Sequence, residues 1–560
     1  MVTDSTCAGP SVPRISYLFR HTKGRRSSVP PAEIAILRDE STNAMGFGLG
    51  VLATLIVLYS SLRQARNGNR LAGAPDTMSE LDVVITGGTV ATIGGVIDCD
   101  IGIHNGSIAV LARNLGAKGI QVIDASGKLV LPGGIDSHCH IAQLSSSGLE
   151  TADDFESGTR SAAAGGNTCL IPFAAQHRGQ TLRDTIDQYH ARANGKAIID
   201  YAFHLIISDA TDEAIREELP ALIEEGYTSF KIYMTYDLLK LNDREILDVL
   251  ATARSHGAMV MVHAENHDVI GWLTERLLAG GHEAPKYHSA AHTEIAESEA
   301  THRAIALAEI VDLPILIVHV SAKEAINEIA RARARGLKIF GETCPQYLFL
   351  TAKDLDRPGF EGAKFMCSPP PRDAENQRSV WRALETGVLE VFSSDHAPYC
   401  YAGTDGKAAS GPNAAFHKVA NGVPGLEVRL PLLFSEGVGE GRLSLESFVN
   451  LTATRASKLY GLYPRKGTIA VGSDADIAIW DPDKTVTIRH EMLHDNMDYT
   501  PYEGRTVTGW PILTLSRGEI VWDGEQVNGV PGRGAFLRCD RPGPAASRDG
   551  SVLERAILGT

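Results

Sequence analysis

The sequence has no C-x-x-C pair, and its eight cysteines, at positions 7, 99, 139, 169, 344, 367, 400 and 539, follow no regular spacing. This excludes a disulfide framework and suits a reducing compartment, so a cytoplasmic protein is expected. Positive charge is also in short supply: 53 Lys and Arg stand against 68 Asp and Glu, a formal net charge of −15 with no long like-charge run. A nucleic-acid partner, which needs a basic face, is thereby excluded. No G-x-G-x-x-G follows a strand-like run, which argues against a doubly wound dinucleotide-binding sheet. No secretory cleavage signal stands near the first residue. What remains is an ordinary globular composition, 43% hydrophobic and 22% charged, in a chain of 560 residues, with room for roughly two to four domains.

Residues 1–77 differ in texture from the rest. A polar, basic segment with Lys23, Arg25 and Arg26 gives way to an uncharged apolar run from Ala44 to Leu62, followed by Arg63, Arg66 and Arg70. A run of that length could span a bilayer, the arginines keeping its C-terminal side in the cytoplasm. The competing reading is a start at Met78, directly before the first strand, with residues 1–77 as an upstream extension.

From Leu81 the chain reads as short strands and tight turns. Asp100–His104 and Ser107–Leu111 are joined by Asn105-Gly106, a strong hairpin signal because both residues tolerate positive φ. Apolar strands then alternate with helical stretches. The strands are read as Leu129–Asp136, Asn167–Ala174, Asp200–Ser208, Tyr227–Met234, Ala258–Glu265, Pro314–Ser321, Lys338–Gln346 and Leu389–Ala397. Thr181–Ala193, Asp212–Glu225, Asp243–His256 and Ser298–Val311 carry the i, i+3, i+4 apolar spacing of helices between them. Eightfold alternation predicts an α/β fold, a (β/α)8 barrel, over residues 129–465. Strands return at Ala475–Trp480, Thr485–Ile488, Ile512–Leu515 and Glu519–Trp522. The strands of 78–128 and of 466–538 are each too few for a stable sheet, so they are expected to combine into one small β-sandwich-like domain beside the barrel. The tail, residues 539–560, is expected to be disordered.

Active sites of such barrels lie at the C-terminal strand ends. Those ends carry His138 and His140, Lys231, His263, His319 and Asp395. His138 and His140 are two residues apart, so strand alternation points both the same way and Cys139 the other. Four imidazoles and a carboxylate suit zinc or a similar divalent ion. Lys231 is the odd member, for an apolar strand is a costly place for an ammonium. His177, His204, His256, His267 and His396 are read as surface or core residues, because no second ligand pattern joins them.

The segments Gly133–His140, Ala152–Thr159, Gly226–Lys231, Gly341–Tyr347, Cys367–Pro370 and Asn421–Glu427 together resemble the amidohydrolase superfamily, and within it the hydantoinase and dihydropyrimidinase group, over about Leu81 to Arg538. The resemblance implies a hydrolase that opens hydantoins or dihydropyrimidines, with two divalent metal ions bridged by a carboxylated Lys231. It assigns His138, His140 and Asp395 to one ion and His263 and His319 to the other. Asp395 becomes the proton carrier, Tyr236 the donor to the oxyanion, and Ser368 and Asn421 bind the substrate through backbone groups. It also implies a small-molecule substrate and a homo-oligomer, a tetramer. Ser137 and Cys139 stand where the family more often has Pro and Thr, and the loops Gln143–Thr151 and Tyr236–Asn242 depart from it, leaving the ring substituent open. Allantoinase is the alternative enzyme. A non-catalytic scaffold of the same fold is a further alternative, against which all six ligand positions speak. Dihydroorotase would want an arginine soon after His140, and none is there.

Overall fold

The computed structural model describes residues 81–115, 119–145 and 148–548. The apolar run Ala44–Leu62 and the rest of 1–77 lie outside the described residues. Among those that are described, no helix is long and apolar enough to cross a membrane.

Parallel pairing runs without interruption from barrel strand one, Gly134–Cys139, through Asn167–Ala175, His204–Ile206, Ser229–Tyr233, Met259–His263, Ile315–Ile317 and Ile339–Thr343 to strand eight, Val391–Phe392. The circle closes through a parallel bridge between Cys139 and His396, where the His140 amide donates to the His396 carbonyl at 2.7 Å. Nearly every strand position is buried, as expected when helices cover a parallel sheet on both faces. The helices start where short polar side chains can cap them. Asp154 closes a capping box on Phe155–Ala164, Asn242 does so on Asp243–His256, and Thr293 caps Glu294–Val311; each accepts from free amides of the first turn.

Two sheets stand beside the barrel. In the six-stranded one, Leu129–Pro132 pairs antiparallel with Ile477–Thr487 and parallel with Thr89–Thr92. Both ends of the described chain therefore meet in one sheet. Val83, Ile85, Ile101 and Ile103 of the four-stranded sheet pack with Val90, Ile477, Ile479 and Leu515 of the six-stranded one in a shared core. At Asn105-Gly106 both φ values are positive, 49° and 74°, as the hairpin reading required.

Four expectations need correction. Leu129–Asp136 is not one strand: Leu129–Pro132 belongs to the β-domain sheet and Gly134–Cys139 to the barrel. The break falls at Gly133, where a Cβ would lie 2.2 Å from the Thr168 side chain. Periodicity could not show it, because both halves are apolar. Ala475–Trp480 and Thr485–Ile488 are parts of one strand, Ile477–Thr487, irregular between Asp481 and Thr485. The helical stretch Asp212–Glu225 is π-helical at Ala214–Glu218 before an α-helical Leu219–Glu224. Finally, residues 539–548 of the tail are placed: Cys539 is buried, its amide donates to Gly226, and Gly543–Ala545 forms a 3-10 turn.

Candidate active site

Barrel pairing brings the strand ends to one rim, and the six residues picked out there arrive together. His138 is the last residue but one of strand one and His140 follows the strand, Lys231 is central in strand four, His263 ends strand five, and His319 and Asp395 lie just past strands six and eight. All are buried, Lys231 with 1% of its surface exposed. Asp395 Oδ1 lies 3.0 Å from His138 Nε2 and 3.4 Å from His140 Nε2. His263 Nδ1 and His319 Nε2 face each other at 2.8 Å, and Lys231 Nζ is 2.8 Å from His138 Nε2. The lysine amine also sits over the Phe173 ring, 4.3 Å from its centroid.

Carboxylates behind this layer set which nitrogen faces inward. Glu342 Oε1 lies 2.6 Å from His138 Nδ1, and Glu265 Oε2 lies 2.9 Å from His263 Nε2. A ring that donates outward to a carboxylate presents its lone pair on the other side. Ring nitrogens of four histidines, the Lys231 amine and the Asp395 carboxylate thus crowd together, and His319 Nδ1 and Glu342 Oε2 are buried without a partner. This donor set fits a divalent cation better than it fits itself. His138, His140 and Asp395 have ligand atoms within 4.8 Å of one another.

Burial acts on each group differently. It pulls the Lys231 ammonium down to about 8 and the His140 imidazolium down to about 4, so both are easily neutral. For Asp395, burial would favour the protonated form, but the His138 and His140 rings outweigh it and hold the carboxyl well below its ordinary range. Burial also raises the Tyr236 phenol, which stays a proton donor within hydrogen-bonding reach of Ser368.

Above the six residues opens a cavity of about 330 Å³. Tyr236, Ser368 and Asn421 line it, and Leu149, Leu239 and Tyr399 form its apolar wall. The Ser368 hydroxyl is 3.2 Å from His288 Nε2, and the Gly422 amide donates to Met366 at 3.0 Å, joining the segments that carry Ser368 and Asn421. Tyr236, His319 and Asp395 have φ of 70°, 39° and 48°. Side-chain-bearing residues avoid that region, so strained backbone is concentrated at the site.

Sequence reasoning missed Glu342 and Glu265, which stand behind the histidines, and Gln143, 2.7 Å from His140 Nδ1. Glu265 follows His263 by two residues, so strand alternation could have found it; Glu342 is a carboxylate in an apolar strand. His204 and His396 are core residues, His204 beside Ser229 and Ser137, His396 paired with Asp153 at 3.0 Å.

The sequence model of the Amidohydrolase family matches residues 129–521. The D-hydantoinase of Geobacillus stearothermophilus is 45% identical over 81% of this chain and 96% of its own, and that of Rhizobium radiobacter is 44% identical over 82% and 99%. Among solved structures, the dihydropyrimidinase of Brevibacillus agri superposes with a TM-score of 0.80 at 42% identity, covering 83% of this chain and 99% of that one. With a family match over most of the barrel and relatives of this identity covering nearly their whole length, the chain belongs to the amidohydrolase family.

Proposed function

We propose that the protein is a metal-dependent cyclic-amide hydrolase that opens the ring of hydantoins or dihydropyrimidines. The observation that carries this reading is the convergence of Lys231, His140, His263, His319 and Asp395 on the floor of the cavity lined by Tyr236, Ser368 and Asn421, with His138 directly beneath them against Lys231 and Asp395. His138, His140 and Asp395 would hold one divalent ion and His263 and His319 a second. Lys231 would bridge them: as a free amine it adds carbon dioxide, forming an N–C bond and releasing a proton, and the costly buried cation becomes an anion. Zinc suits the nitrogen-rich set. Ions held there supply Lewis acidity, which makes water nucleophilic at neutral pH and polarises a carbonyl.

The chain's own groups do the rest. Asp395, kept ionised, accepts a proton from the attacking water and delivers it to the departing ring nitrogen. The Tyr236 hydroxyl donates to the carbonyl oxygen as charge develops on it. Backbone groups around Ser368 and Asn421 hold the imide edge and fix the ring. The relatives named above as D-hydantoinase and dihydropyrimidinase support this substrate class. A hydrolysis screen over hydantoin, 5-substituted hydantoins, dihydrouracil and allantoin tests it. Ring opening of one of the first three is expected; turnover of allantoin alone would sink the assignment.

A further inference from the structure

The three histidines with side-chain partners behind them are not held alike. Glu342 backs His138 and Glu265 backs His263 from the barrel wall, but the partner of His140 is an uncharged amide on a loop. Gln143 Oε1 lies 2.7 Å from His140 Nδ1. A carbonyl oxygen can only accept, so this contact places the ring proton on Nδ1 and leaves the lone pair on Nε2, the nitrogen 3.4 Å from Asp395 Oδ1. The same glutamine is the root of the loop over the cavity. Its amide donates to Thr151 Oγ1 at 2.9 Å, its carbonyl accepts from the Thr151 amide at 3.0 Å, and Leu144 and Glu150 pair beyond it. Ser145 and Leu149 of that loop line the cavity beside Gln143 and His140.

We infer that Gln143 is a positioning residue that couples the substrate loop Gln143–Thr151 to the metal centre, by holding His140 in the tautomer and orientation that a metal ion needs. The inference rests on the metal reading of the site given above. Removing the acceptor frees the ring to turn and to exchange tautomers, which weakens the ion's hold. Filling the site, in turn, fixes the ring, the glutamine and the base of the loop together. Losses of such outer partners commonly cost about 10–100-fold in metal affinity.

The test measures zinc retained by the full chain after dialysis against graded chelator, for wild type, His140→Ala, Gln143→Leu and Gln143→Glu, with thermal melting as the check on folding. Gln143→Leu should release zinc at roughly 10–100-fold lower chelator concentration than wild type, and Gln143→Glu, which keeps an acceptor and adds charge, should hold it at least as well. Hydrogen exchange of the loop amides should slow on zinc loading in wild type but not in Gln143→Leu. Retention by Gln143→Leu equal to wild type, while His140→Ala loses zinc, overturns the inference and spares the metal reading. Equal retention by wild type and His140→Ala overturns the metal reading itself. Should Gln143→Leu not fold, Gln143→Glu decides: retention weaker than wild type overturns the inference.

Discussion

Tyr236 is the residue at which binding and chemistry separate. It is half-buried on the cavity wall beside His263, with ring centroids 5.4 Å apart, in left-handed backbone at φ 70°. Its hydroxyl touches no proposed metal ligand, and the charge it serves exists only while the ring amide is being attacked. Loss of one such donor costs roughly 10²–10³ in kcat. Tyr236→Phe should therefore keep the fold and the metal content, change KM modestly and lower kcat by about that factor. Steady-state kinetics with elemental analysis of the same sample checks this; a near-normal kcat removes Tyr236 from the mechanism. The ligand-type residues were legible in the sequence because they stand in or at the ends of five apolar runs, His138 and His140 sharing the first. Of the carboxylates behind them, Glu265 was within reach of strand alternation, two residues past His263, but Glu342 was not, since a glutamate in a strand announces its burial only once its neighbours are known. Gln143 gives no sequence signal at all: nothing in a loop glutamine says that it will meet a histidine ring.

At the scale of elements, Gly133 is where the chain leaves one sheet for another. Its amide donates to Asp476 in the β-domain, and the next amide, of Gly134, donates to Gly166 beside the barrel. A Cβ here would lie 2.2 Å from both Thr168 Cγ2 and Oγ1, closer than any side chain can approach without displacing the strand. Overpacking of this kind costs about 1–3 kcal/mol. Gly133→Ala should lower stability to chemical denaturation by that amount, and Thr168→Gly in the same chain should recover part of it. No loss in Gly133→Ala would mean that the crossing is looser than the contacts imply. The barrel strands and most helices were readable because their periodicity is strong and their caps are short polar side chains. The first strand was misread because the run Leu129–Asp136 is apolar on both sides of the crossing, and burial alone does not say in which sheet.

At the scale of the molecule, barrel and β-domain are joined by a buried ionic cluster. Lys466 Nζ lies 2.8 Å from Asp200 at the start of the third strand region, and 2.7 and 3.0 Å from Asp476 and Asp474 at the return into the sheet. Removing one partner of a buried pair strands the other charges, at about 3–5 kcal/mol. Lys466→Met should therefore unfold at distinctly lower denaturant concentration, whereas Lys128→Met, at a half-exposed pair with Asp481, should move the midpoint little. Equal effects would deny the cluster its role.

Two divalent ions bridged by a modified Lys231 are the proposed content of the rim, and the decisive measurement is metal content set against turnover. Active wild-type protein should carry two divalent ions per chain. Lys231→Ala, prepared in parallel, should lose metal and activity together, with partial recovery when a short carboxylic acid is supplied in place of the missing bridge. An active sample with one ion or none, or a Lys231→Ala protein that keeps its full metal content, would contradict the account.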